Sequence, residues 1–133
     1  MNPSSNIAVG TAGDASVVVS PDLTVRHLLA GMPAVYSTPC MIFLMESAAG
    51  HAIQPSLPAG WVSVGVDVNI RHLAPTPVGR TVTALATVTS VTEKLVQFDV
   101  IASDGATVIG KGTHSRAPVE LARFEKSLRT GSS

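Results

Sequence analysis

Thr38-Pro39-Cys40-Met41-Ile42-Phe43-Leu44-Met45-Glu46-Ser47-Ala48-Ala49 is the stretch on which the reading of this chain turns. Thr38 offers a capping hydroxyl, and Pro39 stands at the first helical position, where its missing N–H costs nothing. Apolar residues then occupy nearly every position of 41–49 rather than one stripe, which predicts a helix buried on most sides. Pro55 and Pro58 end it. Glu46 is the exception in the middle. A carboxylate on such a helix is costly to bury unless it is paired, protonated or at work.

Upstream of the helix, residues 1–14 are small and polar and are expected to be flexible. Residues 15–20 read as a short β-branched strand closed by Pro21-Asp22, and 24–37 as a loop or short helical turns around Gly31-Met32-Pro33. Downstream come four β-rich runs, 61–73, 81–92, 95–102 and 107–119, with partial Val/Thr alternation in the second. Ser103-Asp104-Gly105 signals a hairpin and Glu93-Lys94 a tight turn. The tail looks like a short amphipathic helix with Leu121, Phe124 and Leu128 on one side. One apolar helix followed by antiparallel strands is an α+β layout. The sheet must curl around the helix, which has no polar face to give to water. This arrangement is the hot-dog fold, here one domain over residues 15–129.

The rest of the composition narrows the class. At 133 residues the chain makes one domain with a core of useful size. Nine basic residues balance nine acidic ones, and no basic stripe points to nucleic acid. Cys40, the single cysteine, excludes an internal disulfide, and no Cys/His pair has zinc spacing. A basic and then apolar leader is not evident, and the run 40–45 is too short to span a bilayer. The expectation is a soluble, cytoplasmic protein. Residues are 45% hydrophobic and only 14% charged, which suggests surface covered in a homodimer.

Strand phase selects a second candidate. Alternate residues face opposite sides, so Val66, Val68, Ile70 and His72 form the set expected to face the helix. Gly65, Asp67, Asn69 and Arg71 form the other. His72 therefore arrives on the core side, toward Glu46. The plainer readings are a core histidine bonded to backbone and a Glu46 ion pair with Arg116 or Arg71. His27 and His51 read as surface residues. His114 and Arg116 share a strand face with Gly110 and Gly112, glycines that suggest close backbone approach or a bulge. No nucleophile elbow or phosphate-binding glycine loop is present.

Thr24-Val25-Arg26-His27-Leu28, then Thr38 and Leu44-Met45-Glu46, then His72 with Thr76-Pro77 and Gly79, then Gly110, Gly112-Thr113-His114 and Arg116-Ala117 form an ordered set. Together they resemble the fluoroacetyl-CoA thioesterase family of the hot-dog superfamily, over residues 10–129. The resemblance implies hydrolysis of a small acyl-CoA thioester by a dimer, with no cofactor beyond the CoA of the substrate. It carries the catalytic threonine, glutamate and histidine onto Thr38, Glu46 and His72. The acyl-pocket glycine falls on Gly65, the arginine near the substrate on Arg116, and a lid's aromatic gate on Met32. The segment between Leu28 and Thr38 is several residues shorter than that lid, so the reaction carries over while the acyl group stays open. In this reading the helix N-terminus polarises the carbonyl, and Glu46 attacks it or activates water. His72 orients or proton-couples to Glu46, and Thr38 bonds Glu46 or substrate. Arg71, Arg80, Arg123 and Lys126 are candidates for the CoA phosphates. The alternatives are a non-catalytic acyl-CoA-binding module and a hot-dog hydratase or dehydratase.

Overall fold

A computed structural model describes residues 1–131. Its elements in chain order are β1 (Ala12–Val18), α1 (Val25–Leu28), α2 (Thr38–Ile53), β2 (Trp61–His72), β3 (Thr81–Val91), β4 (Val96–Asp104), β5 (Thr107–Glu120) and α3 (Leu121–Thr130). The five strands form one antiparallel sheet in the order β1-β3-β4-β5-β2. It curls around α2, as the apolar helix requires. Alternation in β3 sends Val82, Ala84, Ala86 and Val88 inward while Thr81, Thr83 and Leu85 face out. Phe98, Val100 and Ala102 of β4 join them against Met41, Met45, Ala48, Ala49 and Ala52 of the helix. The β4–β5 turn falls at Gly105, whose φ of 59° suits a tight hairpin.

Three expectations are corrected here. The first strand begins at Ala12 rather than residue 15, and ahead of it Ser4 and Ile7 are buried. Gly13 explains the early start: a Cβ there would overlap the backbone of Ala48 and Ala52, so β1 lies directly on the helix. The helix is also less enclosed than its apolar run suggests. Phe43 is 71% exposed, because the sheet covers one side of α2 and leaves the other open. The third correction is the cap. Ser37, not Thr38, is the N-cap, and its hydroxyl accepts from Cys40 N–H at 3.3 Å.

A register shift between Gly65 and Asp67 reverses the phase of β2. Beyond it Val68, Ile70 and His72 pair with His114, Gly112 and Gly110 and share the inner face. Before it Gly65 pairs with Arg116 and also faces the helix. The expected assignment of Gly65 to the outer face, and of Val66 to the inner one, is thus overturned. Gly112 and Gly110 do mark close approach: a Cβ at Gly112 would overlap Asn69 O, and one at Gly110 would overlap the Met41 thioether.

The segment between β1 and α2 is tied down at both ends by short bridges, Thr24 to Tyr36 and Val35 to Pro77. Arg26 Nε donates to Met32 O at 2.8 Å across its turn. No helix among the described residues is long and apolar enough to cross a membrane. The stripe Leu121, Phe124 and Leu128 of α3 is exposed.

Candidate active site

Two clusters of polar side chains line the open side of α2. The first stands at its N-terminus. Because Ser37 supplies the cap, the Thr38 hydroxyl is free to reach His72, and Oγ1 lies 2.7 Å from His72 Nδ1. Pro39 has no N–H, Cys40 N–H is bonded to Ser37 Oγ, and Met41 N–H to Ser37 O. That leaves the amide of Thr38 as the donor at the positive end of the helix. Nε2 of His72 is buried with no hydrogen-bond partner among the described residues. Burial holds this imidazole below its ordinary pKa, the backbone of Ala74 opposing, so at neutral pH the ring is uncharged. Thr38 and His72 line a cleft of about 360 Å³ with Val25, Val35 and Tyr36.

The second cluster surrounds Glu46, about two turns further along. Its Oε2 lies 3.5 Å from Arg116 Nη1, and its side chain is 35% exposed. Glu46 is therefore half-open to a cleft of about 450 Å³, shared with Phe43, Ser47, His51 and Ser63. Gly65 lies directly under the carboxylate, where a Cβ would overlap Oε2. Arg116 is held more firmly than Glu46. Nε donates to Ser63 Oγ at 2.7 Å, Nη2 to Ser63 O at 2.8 Å, and Nη1 to His114 Nε2 at 3.2 Å. Burial lowers the Arg116 pKa, with Glu46 opposing; a guanidinium stays charged regardless.

Sequence reasoning expected Glu46 and His72 to converge. Within one chain they do not bond, and Thr38 bonds His72 rather than Glu46. The reason is spacing: Thr38 and Glu46 are eight residues apart on a helix, roughly 12 Å of rise. Gly65 and His72, beneath them, are roughly 20 Å apart along a strand. The chain holds two separate clusters, Thr38 with His72 and Glu46 with Arg116.

Met32 is 38% exposed and stands outside the linings of both clefts. Of the suggested phosphate ligands, Arg80 is paired with Asp104 and Arg123 loosely with Glu120. Arg71 lies on the outer face of the sheet beside Lys111. Ser63 was missed, and His114 was placed on the strand face of Arg116 without its bond to that residue. Their signal was the pairing of β2 with β5, which brings Ser63 and Arg116 together across 53 residues of sequence.

The family model of fluoroacetyl-CoA-specific thioesterase matches residues 19–122. The chain belongs to that family. It is 41% identical over 118 residues to the fluoroacetyl-CoA thioesterase of Streptantibioticus cattleyicolor, covering 84% of this chain and 85% of that one. A variant of the fluoroacetyl-CoA-specific thioesterase, solved with fluoroacetate and CoA, superposes with a TM-score of 0.84. The two are 40% identical over 89% of this chain and 99% of the other. A hot-dog-like protein from Thermanaerovibrio acidaminovorans superposes with a TM-score of 0.88 at 28% identity, covering 100% and 98%. Thioesterase-family membership and the hot-dog architecture agree.

Proposed function

We propose that this protein is an acyl-CoA thioesterase that cleaves a small acyl-CoA to the free acid and CoA, acting as a homodimer whose sites are each built from two chains. Glu46 carries the reading. It is a carboxylate with one loose ionic partner, set on an open cleft with a glycine kept empty beneath it, in a chain of thioesterase family. The Thr38 amide, at the positive end of α2, polarises the thioester carbonyl and stabilises the oxyanion. Glu46 either takes a proton from the water that adds to the carbonyl carbon, or adds itself to give an anhydride that water then opens. In both routes the C–S bond breaks and CoA leaves as a thiolate. A thiol pKa of about 8.5 makes that departure possible without a strong general acid.

The homodimer is supported by three features of the surface. α2 exposes Phe43; β2 is an edge strand with an unpaired side; and Val68, on its inner face, is 42% exposed. A two-fold partner seated there covers all three. It also brings Glu46 of one chain to the Thr38–His72 pair of the other, where His72 Nε2 awaits a partner. The neutral imidazole then accepts or returns the proton that Glu46 handles. This reading implies a cytoplasmic enzyme, where acyl-CoA substrates are made.

Thiol release from a panel of short, branched, aromatic and fluorinated acyl-CoAs tests the activity. Turnover of a small acyl-CoA is the expected result; saturable binding without release of CoA on any member would overturn it. The same panel tests selectivity. The segment between Leu28 and Thr38 is short, and Met32 stands outside the linings of both clefts. We therefore expect fluoroacetyl- and acetyl-CoA to differ in kcat/KM by no more than about two-hundredfold, the upper end of what a single small substituent commands in a pocket. A preference of a thousandfold would contradict it.

A further inference from the structure

His114 is 2% exposed, yet it carries two polar nitrogens and lies beside the Glu46 cluster rather than in it. Both nitrogens are used. Nδ1 lies 2.8 Å from Asp67 O, and a carbonyl only accepts, so Nδ1 bears the proton. Nε2 is then a lone pair, and it accepts from Arg116 Nη1, which only donates. The ring itself is stacked on Phe98, with centroids 6.0 Å apart and planes at 26°. Every degree of freedom of the imidazole is fixed. Asp67 flanks the register shift of β2, so the bulge that turns Gly65 toward Glu46 also supplies the carbonyl that sets the imidazole.

We propose that His114 is a positioning residue: through Nε2 it aims Arg116 at Glu46 and so fixes where the carboxylate stands during thioester hydrolysis. The inference rests on the thioesterase reading above. Arg116 donates to Ser63 through Nε and Nη2, which holds one edge of the guanidinium. Nη1, the nitrogen 3.5 Å from Glu46, is held by His114 at 3.2 Å, so the imidazole steadies the end of the rigid guanidinium that Ser63 does not bond. A buried histidine serving Asp67 alone would need a donor at Nδ1 and no acceptor at Nε2. Burial, with the charge of Arg116 assisting, keeps the imidazole pKa low, although the Asp67 carbonyl opposes it. The acceptor therefore persists at neutral pH.

The test compares three variants of the full-length enzyme on its preferred acyl-CoA, with kcat, KM and Tm measured for each. His114→Phe keeps the ring on Phe98 and loses both hydrogen bonds. His114→Asn keeps a donor for Asp67 O and loses the acceptor. His114→Gln places an amide oxygen where Nε2 stood. The expected result is a kcat lower by about ten- to a hundredfold for Phe and Asn, with KM nearly unchanged, and near-normal kcat for Gln, the scale of a misplaced reacting group. Wild-type kcat in folded Asn or Phe variants would overturn the proposal, as would equal losses in Asn and Gln. If Phe fails to fold, the Asn and Gln pair decides alone. Wild-type enzyme inactive on every acyl-CoA would sink the functional reading instead. Positioning is then read from crystal structures: Arg116 and Glu46 must part in His114→Asn and stay together in His114→Gln.

Discussion

Glu46→Gln is expected to lower kcat by about 10²–10⁴-fold, the range that a positioned proton acceptor contributes, with the fold unchanged. Glutamine has the same shape and removes only the charge and the basic oxygen. Arg116 does not depend on Glu46 for its place, since Ser63 and His114 hold it through three hydrogen bonds. The competing account makes Glu46 a structural ion pair. That account predicts the reverse, a lower Tm and intact turnover. The geometry favours the first account: the pair is a long one at 3.5 Å, its carboxylate side chain is 35% exposed, and the largely buried Arg116 keeps three other hydrogen bonds without it. Thiol release and thermal unfolding, measured on the same preparations, separate the two.

Gly65→Ala is expected to lower kcat by about a hundredfold, as a carboxylate misplaced by roughly 1 Å would, while leaving Tm close to wild type. The new methyl group overlaps the far end of the Glu46 side chain, which can swing aside, and approaches His114 Cε1 at 3.2 Å. The fold survives because the severe overlap is with a flexible side-chain end, while the fixed His114 ring must give by only a few tenths of an ångström. Gly112→Ala offers the contrast. Its methyl group meets Asn69 O and the backbone of Ile70, which cannot yield without separating β2 from β5, so this variant loses stability. Two glycine-to-alanine changes on one sheet face thus divide into a kinetic and a thermodynamic defect. Equal kcat for Gly65→Ala and wild type would mean that the carboxylate has no fixed working position.

Much of this architecture could be read from residue order because local signals agreed with one another. The apolar run of α2 had only one way to be buried, and turn residues bounded β3, β4 and β5 within a residue or two. Glu46 stood out by desolvation cost alone. What escaped depended on contacts between distant residues. Ser37 and Thr38 are equivalent as caps in sequence; the choice is made by His72, 34 residues away, which takes the Thr38 hydroxyl. The bulge at Gly65 has no local signature, since it arises from the pairing with Arg116 and Ser115, and it reversed the phase assigned to Gly65 and Val66. The Ser63–Arg116–His114 cluster is invisible until β2 and β5 are side by side. Helical rise separated Glu46 from Thr38, a distance the sequence already contained and that the expectation of convergence had passed over.

The central claim is that each site takes Glu46 from one chain and Thr38 with His72 from the other. Mixing purified Glu46→Gln and His72→Ala, each inactive alone, under conditions that let subunits exchange tests it most directly. Half of the dimers become heterodimers, and each of these holds one site with both groups intact. The account predicts recovery of about a quarter of wild-type turnover, as two-fold symmetry and random exchange require. No recovery, with heterodimer formation verified by native mass, would show that both groups serve within a single chain and would contradict it.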